Sequence, residues 1–112
     1  MKKIAVTNSQ INHYGSTQQG PVASSLNHNP TFVRINNVDV VLSTDKIDTP
    51  SHIYDYDEEG HPLYHSHPNQ DIDVLYNDYI RVNGSYVVVE GDGNSTNQTY
   101  IDNAGQDFVF IS

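Results

Sequence analysis

The chain has no cysteine, no tryptophan and only five lysines and arginines. Without thiols there is neither a disulfide framework nor a thiolate metal ligand. Five basic residues against fourteen acidic ones leave a net charge of −9, which argues against nucleic-acid binding by phosphate neutralisation and against attraction to an anionic membrane surface. No apolar run approaches the ~20 residues that span a bilayer. The apolar stretch after Met1-Lys2-Lys3 is too short for a signal peptide. The expectation is therefore synthesis in the cytoplasm, with any export carried out by a machine. Helix signals are also scarce: there are three alanines, and no window carries a three-to-four-residue apolar period.

What is present favours strands. Val and Ile supply 21 of the 28 Leu, Ile, Val and Phe residues, and eight tyrosines stand beside them. At 112 residues the chain is expected to form one all-β domain over residues 1–112.

Its most informative feature is a repeat. Phe32 to Asp45 and Tyr79 to Asp92 align without a gap at an offset of 47, with five of fourteen positions identical. The identities are Arg34/Arg81, Asn36/Asn83, Val40/Val87, Val41/Val88 and Asp45/Asp92. Each copy is apolar, then Asn-Asn or Asn-Gly, then apolar again, which predicts hairpins over about 31–45 and 79–92. Around them the pattern predicts strands at Lys3 to Thr7, Val22 to Leu26 and Asp71 to Tyr76, and a last pair near Tyr100–Ile101 and Asp107–Ile111. Residues 50–68 read as an irregular insertion rich in Tyr, Asp, Glu and His. The three N-x-S/T triplets at Asn83, Asn94 and Asn97 are read as chance matches in an Asn-rich chain.

Six histidines with no cysteine make the strongest chemical signal: His13, His28, His52, His61, His65 and His67. Neutral imidazole suits transition metals, zinc above all, and a small loop-rich domain without disulfides gains from a structural ion. His13 follows the first predicted strand and His52 follows the first repeat, so both leave hairpin-like units at one end. His65-Ser66-His67 on an extended segment directs two rings to one face. The predicted ligand set is His13, His52, His65 and His67. Asp55, Asp57, Glu58 and Glu59 lack the spacing of a calcium loop and read as a solvated acidic stretch.

The order of these pieces resembles the PAAR-repeat proteins, which cap the trimeric spike of type VI secretion systems and contractile phage tails. The resemblance covers roughly residues 5–93. Its first pass runs through Asn8, His13-Tyr14-Gly15, Gly20-Pro21-Val22-Ala23, Val33-Arg34-Ile35-Asn36-Asn37 and Asp45. Its second runs through Asp45, His52, Asp71 to Leu75, Ile80-Arg81-Val82-Asn83-Gly84 and Gly91-Asp92. The Pro-Ala-Ala-Arg tetrapeptide is absent, with Val38 to Val41 and Ser85 to Val88 in its place, and so is the ligand cysteine of many members. The resemblance implies a small cone of repeated hairpins in pseudo-three-fold arrangement, without enzymatic activity and pinned by zinc. Its partner would be a trimeric spike protein, VgrG-like or a phage central spike, on which one monomer sits as a membrane-piercing tip in a virion tail or secretion apparatus. His13 and His52 match the family's ligand positions.

Two other readings stand beside it. Gly60 to His67 followed by Asp71 resembles the cupin His-x-His and its later carboxylate, which would make His65, His67 and Asp71 the metal ligands of a small enzyme. A self-trimer binding iron through His65 and His67 of three chains would resemble other phage spike tips.

Overall fold

The computed structural model describes residues 1–111. Its strands run in the order β1 (Lys2–Lys3), β2 (Gln10–His13), β3 (Val22–Asn27), β4 (Arg34–Ile35), β5 (Val38–Asp39), β6 (Lys46–Tyr56), β7 (Pro62–Asp71), β8 (Arg81–Val82), β9 (Ser85–Tyr86), β10 (Gly93–Asn94), β11 (Thr99–Asn103) and β12 (Phe110–Ile111). No helix occurs among the described residues, and the domain is all-β as its composition predicts.

Both repeat hairpins form, β4 on β5 and β8 on β9, in the same register at an offset of 47. Asn36 and Asn37 have φ of 51° and 64°, and Asn83 and Gly84 have 51° and 82°. That left-handed pair is what a two-residue hairpin turn requires and what Asn and Gly tolerate. The repeated arginine has a repeated task across the hairpin. Arg34 Nε donates to Asp39 Oδ1 at 2.8 Å, while Arg81 lies over the Tyr86 ring, 4.4 Å from its centroid.

The two hairpins are two-thirds of a three-fold. Ala5 N–H donates to Val88 O (2.9 Å), Val88 N–H to Val41 O (3.0 Å) and Val41 N–H to Ala5 O (2.9 Å), a closed ring of three wholly buried residues. Each neighbouring segment then bonds outward in the same way. Val40 N–H reaches Val33 O (3.0 Å), Val87 N–H reaches Ile80 O (3.1 Å), and Ile4 N–H reaches Val109 O (3.1 Å). The third hairpin is therefore β1 paired with β12, one strand from each end of the chain. The turns that leave the ring match as well: Asp45 N–H to Leu42 O, Asp92 N–H to Val89 O, and Ser9 N–H to Val6 O. The counterpart of the two repeat aspartates is thus Ser9, not Asn8 as the sequence pattern suggests.

Those aspartates are structural acceptors. Asp45 takes the N–H groups of Asn29 (2.9 Å) and Leu42 (3.2 Å), and Asp92 those of Leu75 (3.0 Å) and Val89 (2.9 Å). Both are buried, and these bonds meet the requirement that buried polar groups be paired. The Ser9 hydroxyl has no hydrogen-bond partner among the described residues.

Two apolar clusters flank the ring. Val6, Val40, Leu42, Val87, Val89 and Ile111 fill the hairpin side. Ala5, Val41 and Val88 pack with Ile11, Ile47, Ile72 and Ile101 on the other, under a six-stranded antiparallel sheet ordered β10-β11-β2-β3-β6-β7. That sheet curls into a half-barrel, and a bridge from Asp73 to Gly93 draws its edges together. The molecule is elongated, 51 × 24 × 22 Å.

Several expectations change. Residues 50–68 are no irregular insertion: most belong to β6 and β7, the longest ribbon in the domain. The alternation was hidden because its inward positions hold Thr and His in place of Val and Ile, and because three register shifts interrupt it. The strand expected over Asp71 to Tyr76 ends at Asp71, with only Asp73 paired beyond it. Between Lys3 and Thr7 the backbone bonds go mainly to the three-fold ring and its neighbours. The last two strands do not pair with each other; β11 joins β2 and β12 joins β1.

Candidate metal centre

Four histidines converge on the inner face of the sheet. His13 ends β2, His52 lies on β6, and His65 and His67 lie on β7. Alternation puts His65 and His67 on one face, and the register sets His67 opposite Thr49 and His65 opposite His52. Between those pairs β6 spends three residues where β7 spends two. This bulge is what turns His52 onto the face of Thr49; without it, three residues on, His52 would face away. Pro50 sits inside the bulge, where its missing N–H leaves no ladder bond unmade.

The fourth wall comes from the third exit of the ring. Thr99 opens β11 directly opposite His13, and its hydroxyl lies 2.9 Å from His13 Nδ1. The turn that delivers it needs glycine at 93: a Cβ there would lie 2.1 Å from the Thr99 carbonyl oxygen.

His13 and His52 are buried, and one ligand nitrogen from each of the four lies within 4.8 Å of the others. The ring centroids of His13 and His52 are 4.8 Å apart, those of His13 and His67 4.7 Å, and those of His65 and His67 4.5 Å. Tyr54 stacks on His65 at 4.3 Å. His52 Nδ1 donates to Pro50 O (2.9 Å), which leaves its Nε2 facing His65 Nε2 at 2.8 Å. His65 Nε2 also reaches Ser16 O at 3.2 Å. The Nε2 atoms of His13 and His67 are buried with no hydrogen-bond partner among the described residues. Burial first, and then the neighbouring imidazoles, hold His13 and His67 below the ordinary histidine value, so these two rings favour the neutral form.

These residues fit a transition-metal ion. Neutral imidazoles are its usual ligands, and two orphaned buried nitrogens aimed at one point are otherwise a cost. Nitrogens bound ~2.1 Å from one ion lie no more than about 4.2 Å apart, so the widest separation of 4.8 Å must close slightly. A cleft of about 220 Å³ bounded by Gly15, Ser16, Thr96, Asn97 and Gln98 opens onto His13 and His67.

All four residues singled out in the sequence thus come together, and the other two histidines stay apart. His28 bridges Asp45 (2.6 Å) and Asp39 (2.9 Å), and His61 meets Asp57 (3.2 Å) near the exposed end of the ribbon. Asp71 does not join His65 and His67; it is exposed and ion-paired to Lys46. Gln70 and Thr99, which support the cluster, carry no motif that would single them out. Comparison with known protein families, curated proteins and solved structures finds no match to this chain.

Proposed function

We propose that this protein is a non-enzymatic tip that sits on the blunt end of a trimeric β-structured spike, PAAR-like in construction and cross-linked by one histidine-bound ion. The observation that carries the proposal is the three-fold repetition of the hairpin end. Val33, Ile80 and Val109 occupy equivalent positions, since each carbonyl receives the same bond from the residue that precedes a member of the ring. The residues before them are Phe32, Tyr79 and Phe108, exposed at 94%, 57% and 70%. Single exposed aromatics need no explanation, but three at equivalent positions, each beside a partly exposed Val or Ile, form a repeated apolar face. A single chain with this arrangement can present the same anchor to each subunit of a three-fold partner.

The ion is proposed to be zinc, acting as a cross-link between β2, β6 and β7 in a domain that has no disulfide. The proposed setting is a virion tail or secretion apparatus, with only mechanical contact with a target membrane. Two features weigh against the other readings. The separation of Asp71 from the histidines disfavours the cupin-like enzyme. The convergence of four imidazoles within one chain leaves a self-trimer nothing to complete.

Native mass spectrometry tests the reading in two steps. The free chain is expected as a monomer carrying one zinc. Mixed with a trimeric β-helical spike protein, it is expected to form a complex of three spike chains and one tip. A free homotrimer carrying iron, or no complex with such a spike at concentrations of tens of micromolar, would overturn the proposal.

A further inference from the structure

The hydrogen bonds behind the imidazoles run in one direction. Gln70 is buried on β7, with its Nε2 facing the carbonyls of His67 (3.0 Å) and Ile47 (3.4 Å) and the Thr49 hydroxyl (2.8 Å). Carbonyl oxygens only accept, so the end of the amide that faces them must be the NH2 group. The other end, Oε1, is therefore an acceptor, and it receives Asn97 Nδ2 (3.3 Å) and the Thr99 hydroxyl (2.9 Å). A hydroxyl has one proton. Thr99 gives its proton to Gln70 and so meets His13 Nδ1, 2.9 Å away, as an acceptor. His13 is left with its proton on Nδ1 and a bare Nε2, the buried and unpartnered nitrogen of the cluster.

We infer that Gln70 is a positioning residue: acting through Thr99, it selects the nitrogen that His13 presents to the centre. The opposite tautomer would aim an N–H at the place where a cation binds. Gln70 does this through Thr99, with no hydrogen bond of its own to His13 among the described residues, and its NH2 end holds the His67 carbonyl, so one side chain constrains two candidate ligands on different strands. His52 is independent of it, because the Pro50 carbonyl fixes that ring. The consequence for metal affinity rests on the proposed metal centre; the tautomer of His13 does not.

Imidazole 15N shifts of the metal-free protein at neutral pH, with zinc titration alongside, test the inference. Wild-type His13 and His52 should both be Nδ1–H tautomers. In Gln70→Leu the Thr99 hydroxyl is freed to donate to Nδ1, so His13 should move toward Nε2–H while His52 does not. Zinc affinity should fall by about 10–100-fold, as outer-shell losses typically do. Thr99→Val, close to isosteric, serves if Gln70→Leu fails to fold; it should abolish the His13 preference for Nδ1–H. An Nε2–H His13 in the wild type, or a His13 unmoved in both variants, would overturn the inference. Wild-type protein that binds no zinc would overturn the metal centre instead, and the tautomer result would still decide the role of Gln70.

Discussion

His52 and His65 face each other across the β6–β7 ribbon with their Nε2 atoms 2.8 Å apart. At that distance the pair holds at most one proton between the two nitrogens, and His52 has already committed its other nitrogen to the Pro50 carbonyl. A bound ion replaces that proton with a charge that every ring in the cluster can share, so occupancy should raise stability steeply. At zinc 1,000-fold above its dissociation constant the gain is about 4 kcal/mol. For a domain of this size that corresponds to roughly 10–20 °C in Tm. Thermal melts with zinc and with excess chelator should differ by that amount, and His52→Ala should melt near the chelated wild type and respond little to zinc. Identical melts with and without metal would remove the cross-link.

Acid should unfold the metal-free protein early. Burial, then the charges of neighbouring rings, lowers the His13 and His67 values. Unfolded His13 and His67 take up protons near pH 6.5, where in the folded chain these two rings resist them, so their contribution to stability is fully present above that pH and falls as pH drops through it. His28 works in the opposite sense. Burial opposes its charge, but hydrogen bonds to Asp45 and Asp39 outweigh it and raise the value. Its contribution is complete below about pH 6.5 and is lost as pH rises through the raised folded value. Urea midpoints measured from pH 5 to pH 8 should rise with pH overall. In His28→Asn the rise should be steeper, because the opposing contribution of His28 is gone. A flat profile for the metal-free wild type would contradict the lowered values of His13 and His67.

The repeat hairpins were legible because their requirements are local. Asn-Asn and Asn-Gly mark left-handed turns, and the arginine and aspartate identities correspond to a cross-strand partner and a buried acceptor. The third copy was not read because β12 and β1 lie at opposite ends of the chain. A signal was nevertheless present: Asn77-Asp78-Tyr79-Ile80 and Gln106-Asp107-Phe108-Val109 share an amide, an aspartate, an aromatic and a β-branched residue. The four clustered histidines were legible from residue type and position. The bulge at Pro50 and the Gln70 network were not, since each depends on register between strands that are far apart in sequence.

That shared amide carries a stability prediction. Asn77 accepts from Tyr79 N and Ile80 N and donates to Ile80 O and Val87 O. Gln106 accepts from Phe108 N and Val109 N and donates to Val109 O and Ile4 O. Replacing either with Leu strands several partly buried backbone groups, at a cost of about 2 kcal/mol in each case. Similar losses in urea unfolding of Asn77→Leu and Gln106→Leu would bear out their equivalence, and a neutral Gln106→Leu would contradict it.

The turns give a smaller test. Val at 36 or 83 would put a β-branched residue at φ of 51°, which costs about 1–2 kcal/mol. Asn36→Val and Asn83→Val should each lower Tm by about 3–10 °C, whereas Gly in either place should be nearly neutral. Unchanged melting of both Val variants would be incompatible with these turns.

The hairpin end makes the sharpest separation between folding and docking. Phe32 and Phe108 are largely exposed in the free chain, so replacing either with Ser should change stability by no more than about 0.5 kcal/mol. If these aromatics anchor a three-fold partner, each should behave as an interface hot spot worth about 2 kcal/mol, which is close to a 30-fold loss of affinity. Phe32→Ser and Phe108→Ser, measured against the same trimeric spike by sedimentation or calorimetry, should weaken binding by similar factors, because pseudo-symmetry places them in equivalent pockets of the partner. The double variant should bind more weakly still while melting like the wild type. Strong binding by the double variant would move the interface elsewhere on the molecule. A loss confined to one of the two positions would show contact through a single hairpin, and the three-fold argument would then fail even though the protein binds.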